Sequence, residues 1–223
     1  MKLERPPETL PIFPLTGSLL LPGNYLPLNI FEPRYRNLVR DALEGPRLIG
    51  MIQPRVPGPD NLGPLRGDAD PDLYAVGCVG TIQRCERQTD GRYLIVLRGL
   101  IRFRIAEELP RHNGYRLVRP DFGEFGGDEQ AEAEGIDTAS LLAAVDRFAE
   151  RYGLDFDADL LASLPPLLLV NALSAALPFS PGERQALLEA PRPADRARLL
   201  RELMRMGLDD RWDGDAYRPP VVN

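Results

Sequence analysis

Lysine is almost missing from this chain of 223 residues: Lys2 stands alone, and every other basic residue is arginine. No G-x-x-x-x-G-K-[ST] run exists, so the chain has no phosphate-binding loop, whose Lys must reach the phosphates. A Ser-Lys dyad is excluded for the same reason. Histidine is equally scarce. The sole one, His112, lies in the turn Pro110-Arg111-His112-Asn113-Gly114, and an exposed hairpin tip does not hold an oriented base for a Ser-His-Asp arrangement. The two cysteines, Cys78 and Cys85, are separated by an odd spacing that puts them on opposite faces of a regular strand, against a disulfide. With no His beside them they form no zinc site, and they read as small buried hydrophobes. No apolar run approaches the roughly 20 residues that span a bilayer. The opening MKLERPPETL has no apolar signal region, so the expected compartment is the cytoplasm. Aromatics are few, at 7%, and the net charge is -6. Residues 1–122 carry 17 Lys/Arg against 14 Asp/Glu, and residues 123–223 carry 10 against 19. Neither half is the clustered cationic surface of a nucleic-acid binder.

What the chain has in quantity is proline, 23 residues, and glycine, 20, as many short elements joined by turns require. In Leu10–Val39, LPIFPLTGSLLLPGNYLPLNIFEPRYRNLV, a short apolar strand is followed by turn chemistry at Thr16-Gly17-Ser18 and Pro22-Gly23-Asn24. A second strand runs Tyr25 to Ile30. Glu32-Pro33 opens a helix with Pro where a missing N–H costs little. Tyr35, Leu38, Val39 and Ala42 recur at helical spacing and face a core. Arg47 to Gln53 reads as a buried strand. Residues 54–72 hold too many Pro and Gly for a periodic element and form a long loop, either disordered or a binding lid. Leu73 to Arg87 is a strand interrupted by Gly77 and Gly80, which mark a bulge or bend. Asp90-Gly91 and Asn113-Gly114 are hairpin turns. Between them Tyr93, Ile95 and Leu97 share a face and Gly99 breaks the strand. Ile101, Phe103 and Ile105 then alternate with Arg102 and Arg104, predicting an apolar core face and an arginine face toward solvent. Many short strands with turn signals argue for a barrel or sandwich.

From Phe122 the composition turns acidic and Gly-rich, which predicts a linker over 123–136. Beyond it the period is helical. Leu141, Val145, Phe148 and Tyr152 share a stripe. Asp155, Asp157 and Asp159 resemble part of a calcium loop, but its Gly and distal Glu are absent, and Asp157 reads as a helix cap. Pro165-Pro166 restarts an apolar helix to Leu177. Ser180-Pro181-Gly182-Glu183 is a capping box. Pro193-Ala194 opens the last helix, with Gly207 as its stop. The tail after it is polar and frayed. The expected organisation is residues 1–122 as a β subdomain, 123–136 as linker and 137–223 as a helical subdomain.

Leu10-Pro11, Phe13-Pro14-Leu15, Leu21-Pro22-Gly23, Leu26-Pro27-Leu28 and Ile30-Phe31-Glu32-Pro33-Arg34-Tyr35, taken in order, resemble the N-terminal substrate-binding domain of Lon proteases. The likeness continues through Tyr74–Gly80, Asp90–Tyr93, Arg98-Gly99, Arg102–Ile105 and the helical segments from Leu177-Pro178 to Leu203, so it covers about residues 8 to 207. It implies an α+β fold: a PUA-like, partly closed β-barrel containing one helix, followed by a C-terminal α-helical bundle. It also implies a stand-alone recruiting domain without the family's ATPase and peptidase domains.

The expected function is therefore a non-catalytic module that binds unfolded or degron-bearing polypeptides as an adaptor for a protease or chaperone machine. It needs no cofactor, metal, nucleic acid or membrane, and its oligomeric state is open. Leu20, Tyr25, Phe31, Arg34 and Tyr35 are the residues assigned to peptide binding. Either they fill the barrel mouth and the groove under the helix, or they form an exposed patch for unfolded chains. An extended peptide could also add to an open barrel edge. The alternatives are a small-ligand or RNA-sensing PUA-like domain, which the sparse aromatics disfavour for RNA, and a hydrolase built on an acid pair.

Overall fold

Six strands and six helices follow one another in a computed structural model that describes residues 6–55, 71–128 and 133–209. The strands are β1 Leu10–Pro14, β2 Tyr25–Ile30, β3 Leu48–Ile52, β4 Val76–Arg87, β5 Tyr93–His112 and β6 Tyr115–Asp121, with helix α1, Pro33–Glu44, between β2 and β3. The helices α2 Thr138–Tyr152, α3 Ala158–Ser163, α4 Pro166–Ala176, α5 Pro181–Glu189 and α6 Pro193–Asp209 come after them. Contacts divide the chain into two units, residues 1–130 and 131–223. The fold is mixed α+β. Among the described residues no helix is long and apolar enough to cross a membrane.

In the first unit the strands pair in the order β2-β5-β4-β3-β1-β6, and β6 pairs again with β5. Strand β1 is parallel to β3, and the other pairs are antiparallel. The ladder returns to β5 because that strand has 20 residues. Its first part lies between β2 and β4, and its second part carries β6. Register shifts at Val79/Gly80 and Ile82/Arg84 bend β4 against it, as the glycine at position 80 predicts. Gly99 does not end the strand. A Cβ there would overlap the Leu21 carbonyl oxygen, so glycine is present to let the β1–β2 loop cross the sheet. That loop delivers Leu19, Leu20 and Leu21 into a core with Leu10, Ile12, Ile49, Leu97 and Phe103. Asn113 and Gly114 both take positive φ, 48° and 89°, in a two-residue turn between β5 and β6. Asn-Gly suits that backbone.

Two expectations about the arginine face and the linker change together. Arg102 is buried, not solvated, because residues 123–128 fold back over β5. Gly123–Phe125 is a 3-10 turn with Phe125 buried, and the Arg102 guanidinium lies 4.8 Å from the centre of its ring. Asp128 binds Arg102 through both side-chain and main-chain nitrogens. Arg104 pairs with Glu124 at 2.8 Å. The acidic start of the presumed linker thus supplies the partners for the arginines. Of the long loop, residues 56–70 lie outside the described residues. Its ends are joined where Pro54 bridges Leu73.

In the second unit Leu141, Phe148, Leu173, Leu200 and Met204 form the core. The capping box at Ser180 and Glu183 is complete, and Asp157 accepts from the Leu160 N–H. Helix α6 runs past Gly207, whose carbonyl accepts from the Tyr152 hydroxyl while the Phe148 ring packs on its Cα. Arg184 is buried and donates to the carbonyls of Ala175, Leu177 and Phe179 at 2.7, 2.8 and 3.0 Å. It satisfies the chain where α4 ends and no backbone donor continues. The polar tail after Asp209 lies outside the described residues.

Candidate functional site

The most exposed of the assigned residues lie in strand β2 and just beyond its end. Its burial alternates, with Tyr25, Pro27 and Asn29 exposed and Leu26, Leu28 and Ile30 turned toward the core. Tyr25 is 62% exposed, and Phe31, just beyond the strand, is 51% exposed. The remaining assignments fall differently. Leu20 is in the core, and Tyr35 is buried with its ring 4.2 Å from Phe13. Neither meets a ligand unless the fold opens. Arg34 is held by Glu32 at 3.0 Å and stacks over the Tyr35 ring at 4.6 Å. Leu20 and Tyr35 are thus part of the core, whereas Tyr25 and Phe31 are exposed.

Two residues not assigned from sequence extend the surface. Antiparallel pairing sets Tyr25 opposite Arg98, Pro27 opposite Val96 and Asn29 opposite Leu94. Directly opposed residues share a face, so Leu94 and Val96 lie beside the exposed β2 side chains. Leu94 is 43% exposed and Val96 half-buried. The signal for them is in Tyr93–Leu97, YLIVL. Five apolar residues in a strand put three on the core face and leave two on the other.

The free edge of β2 belongs to the same surface. Gly99 N–H donates to the Asn24 carbonyl at 2.9 Å. From that bond the antiparallel alternation turns the main-chain groups of Leu26, Leu28 and Ile30 toward β5, and those of Tyr25, Pro27 and Asn29 away from it. Proline sits where its missing N–H breaks no ladder bond. Among the described residues β2 pairs with β5 alone.

Helix α1 anchors the far end of the unit. Asn37 donates to the Asn113 carbonyl at 3.0 Å, and Asp41 accepts from Asn113 Nδ2 at 2.7 Å and the Tyr115 hydroxyl at 3.0 Å. His112 Nε2 is 3.7 Å from Asp41. Burial pushes the Asp41 carboxyl up, but hydrogen bonds from Asn113, Tyr115 and Arg40 outweigh it and hold the group below its usual range. The same burial and the neighbouring carboxylate push the Tyr115 phenol well above its usual value. These groups fasten a hairpin to a helix. No cluster of three or more metal-ligating side chains is present among the described residues. Cys78 is buried and Cys85 half-buried, both as free thiols, with burial pushing the Cys85 thiol up against the opposing charge of Arg47.

Residues 9–206 match the family model described as the ATP-dependent protease La (LON) substrate-binding domain. Lon protease 2 of Myxococcus xanthus is 27% identical over 206 residues, 89% of this chain and 24% of that protein. Lon protease of Dictyoglomus thermophilum is 30% identical over 172 residues, 77% of this chain and 19% of that protein. The chain therefore spans about a quarter or less of these relatives. Among solved structures, a Lon N-terminal domain protein from Xanthomonas campestris superposes with a TM-score of 0.56 at 27% identity, covering 88% of this chain and 97% of that one. The N-terminal domain of Mycobacterium avium complex Lon protease gives a TM-score of 0.63 at 18% identity, with 88% and 98% covered, a likeness of fold.

Proposed function

The chain belongs to the Lon substrate-binding domain family, and from that premise we propose that it is a non-catalytic module that captures unfolded or degron-bearing polypeptides and delivers them, as an adaptor, to a protease or chaperone machine. The observation that carries this reading is the exposure of Tyr25 on β2, of Phe31 just beyond it and of Leu94 on the paired strand β5, beside a strand that pairs on one side alone among the described residues. Exposed apolar patches mark interaction sites. Return of the strand ladder to β5 supports a partly closed, PUA-like barrel for the first unit, with the helices of the second as a separate subdomain. Cytoplasmic residence belongs to the same proposal.

Amide hydrogen exchange with and without a permanently unfolded model polypeptide tests the reading. Protection is expected in residues 25–31 and 93–98, and the double variant Tyr25→Ser, Phe31→Ser should weaken binding by about tenfold or more, the scale of losing two buried aromatic anchors. Unchanged exchange at high micromolar polypeptide would overturn it. The purified chain is expected to hydrolyse neither ATP nor an unfolded protein. Turnover that survives Lys2→Ala would reveal a site built on other residues.

A further inference from the structure

We propose that the polypeptide is held as an added β-strand on the free edge of β2, and that the surface favours extended segments in which apolar and acidic side chains alternate with neutral polar ones. The inference rests on the polypeptide-binding reading and specifies how and what the module binds. The main-chain groups that face away from β5 are the N–H and C=O of Tyr25 and Asn29 and the C=O of Pro27, spread over about 13 Å at 3.3 Å per residue. Only another extended backbone matches that row of donors and acceptors.

Charge on the adjoining face selects the occupant. Arg92, Arg102, Arg104, Arg116 and Arg119, in and beside β5 and β6, each meet a carboxylate. Arg98 and Arg84 do not. Arg98 lies opposite Tyr25, and Arg84 lies opposite Val96 on the other side of β5, so both share the face of Tyr25, Pro27 and Leu94. Neither forms an ion pair among the described residues, and the Arg98 Nε is buried without an acceptor. Glu86, on the same face further along β4, forms no ion pair with an arginine among the described residues and accepts a hydrogen bond from the Gln88 amide. The Tyr25 end of the surface is therefore apolar and cationic. In an added strand, the residues whose main-chain groups bond β2 are those whose side chains lie on this outer face. An acidic side chain there stands two strands from Arg98, roughly 10 Å at the inter-strand spacing, within the combined reach of the two side chains.

Pro27 sets the register. It offers an acceptor and no donor, so the peptide residue opposite it makes one bond instead of two. The same missing donor limits pairing of β2 with other free edges.

The test is fluorescence anisotropy of the full chain with a labelled, unstructured peptide alternating Leu or Glu with Ser. Two N-methylated versions accompany it, one blocked at every Leu/Glu residue and one at every Ser. The proposal expects binding of the parent and the Ser-blocked peptide, with at least about tenfold loss for the Leu/Glu-blocked one, the scale of two or three hydrogen bonds. Arg84→Gln with Arg98→Gln should weaken the Glu peptide about threefold to tenfold and leave a Gln counterpart unchanged. Pro27→Ala should strengthen binding about twofold to tenfold by adding one donor. Equal affinity for both N-methylated versions, with no gain from Pro27→Ala, would overturn strand addition while leaving polypeptide binding intact. Loss of all peptide binding, with exchange unchanged by unfolded polypeptide, would overturn both.

Discussion

Arg102 and Asp128 form a pair whose side chains are 4% and 8% exposed. Attraction between buried charges is offset by the cost of taking both from water, so the pair adds little net stability, whereas an unpaired survivor is expensive. Asp128→Ala should destabilise the first unit by about 3–5 kcal/mol, and Arg102→Met with Asp128→Leu should recover most of that loss, both read by urea denaturation. A second expectation at this scale concerns Gly99. Gly99→Ala forces the Leu21 carbonyl away and should cost about 3 kcal/mol as overpacking against backbone, while Gly126→Ala, which meets open space, should leave the midpoint nearly unchanged. Alternation in the sequence identifies Arg102 and Arg104 as sharing a face, and they do share one. What it does not carry is the cover. Only tertiary return of residues 123–128 buries Arg102, while Arg104 keeps 41% of its side chain exposed, and a period of two contains nothing about what comes back over it.

Helix α1 is seated against hairpin tips at the scale of elements. The Arg36 guanidinium lies over Gly91 in the β4–β5 turn, and Asp41 receives the β5–β6 turn through Asn113 and Tyr115. The Asp41 carboxyl is held below its ordinary value in the fold, so the unfolded chain binds a proton more readily than the folded one. Its contribution is therefore complete above about pH 5, where the unfolded carboxyl is ionised, and is lost as pH falls through the depressed folded value. The stability gap between the natural chain and Asp41→Asn should be constant near neutrality and shrink below about pH 4, measured by denaturation across pH 2 to 7. In the second unit Ser180→Ala removes a complete capping box and should cost about 1 kcal/mol. Such elements were legible because their signals are local. Ser180 to Glu183, Asp157 and Asn113-Gly114 each specify a backbone bond or a φ within a few residues. Strand β5 was not legible at its full length. Gly99 has the composition of a break, and its reason lies 78 residues earlier, at the Leu21 carbonyl.

For the molecule as a whole, the candidate surface was half legible for a related reason. Tyr25 stands on the outer face of a turn-flanked strand and Phe31 just beyond it, both exposed, while Leu20 and Tyr35 are consumed by the core. Residue type alone does not separate Tyr25 from Tyr35, or Phe31 from Leu20; topology does. Topology also separates two cores. Leu97 and Phe103 anchor one beneath the strands, and Phe148, Leu173 and Met204 anchor the other among the helices. If each core sustains its own unit, damage to one should be local. Phe148 is fully buried, 4.4 Å from the Tyr152 ring and 6.2 Å from that of Phe179, and truncating it to Ala should cost about 3–5 kcal/mol. In native-state hydrogen exchange of Phe148→Ala, amides of α2, α4 and α6 should lose protection by orders of magnitude while those of β3, β4 and β5 keep theirs. Peptide affinity should stay within about twofold, since the strand proposed to bind belongs to the other unit. Parallel loss of protection in strands and helices would mean instead that the chain unfolds as one cooperative block, and that the helical unit underwrites the binding surface.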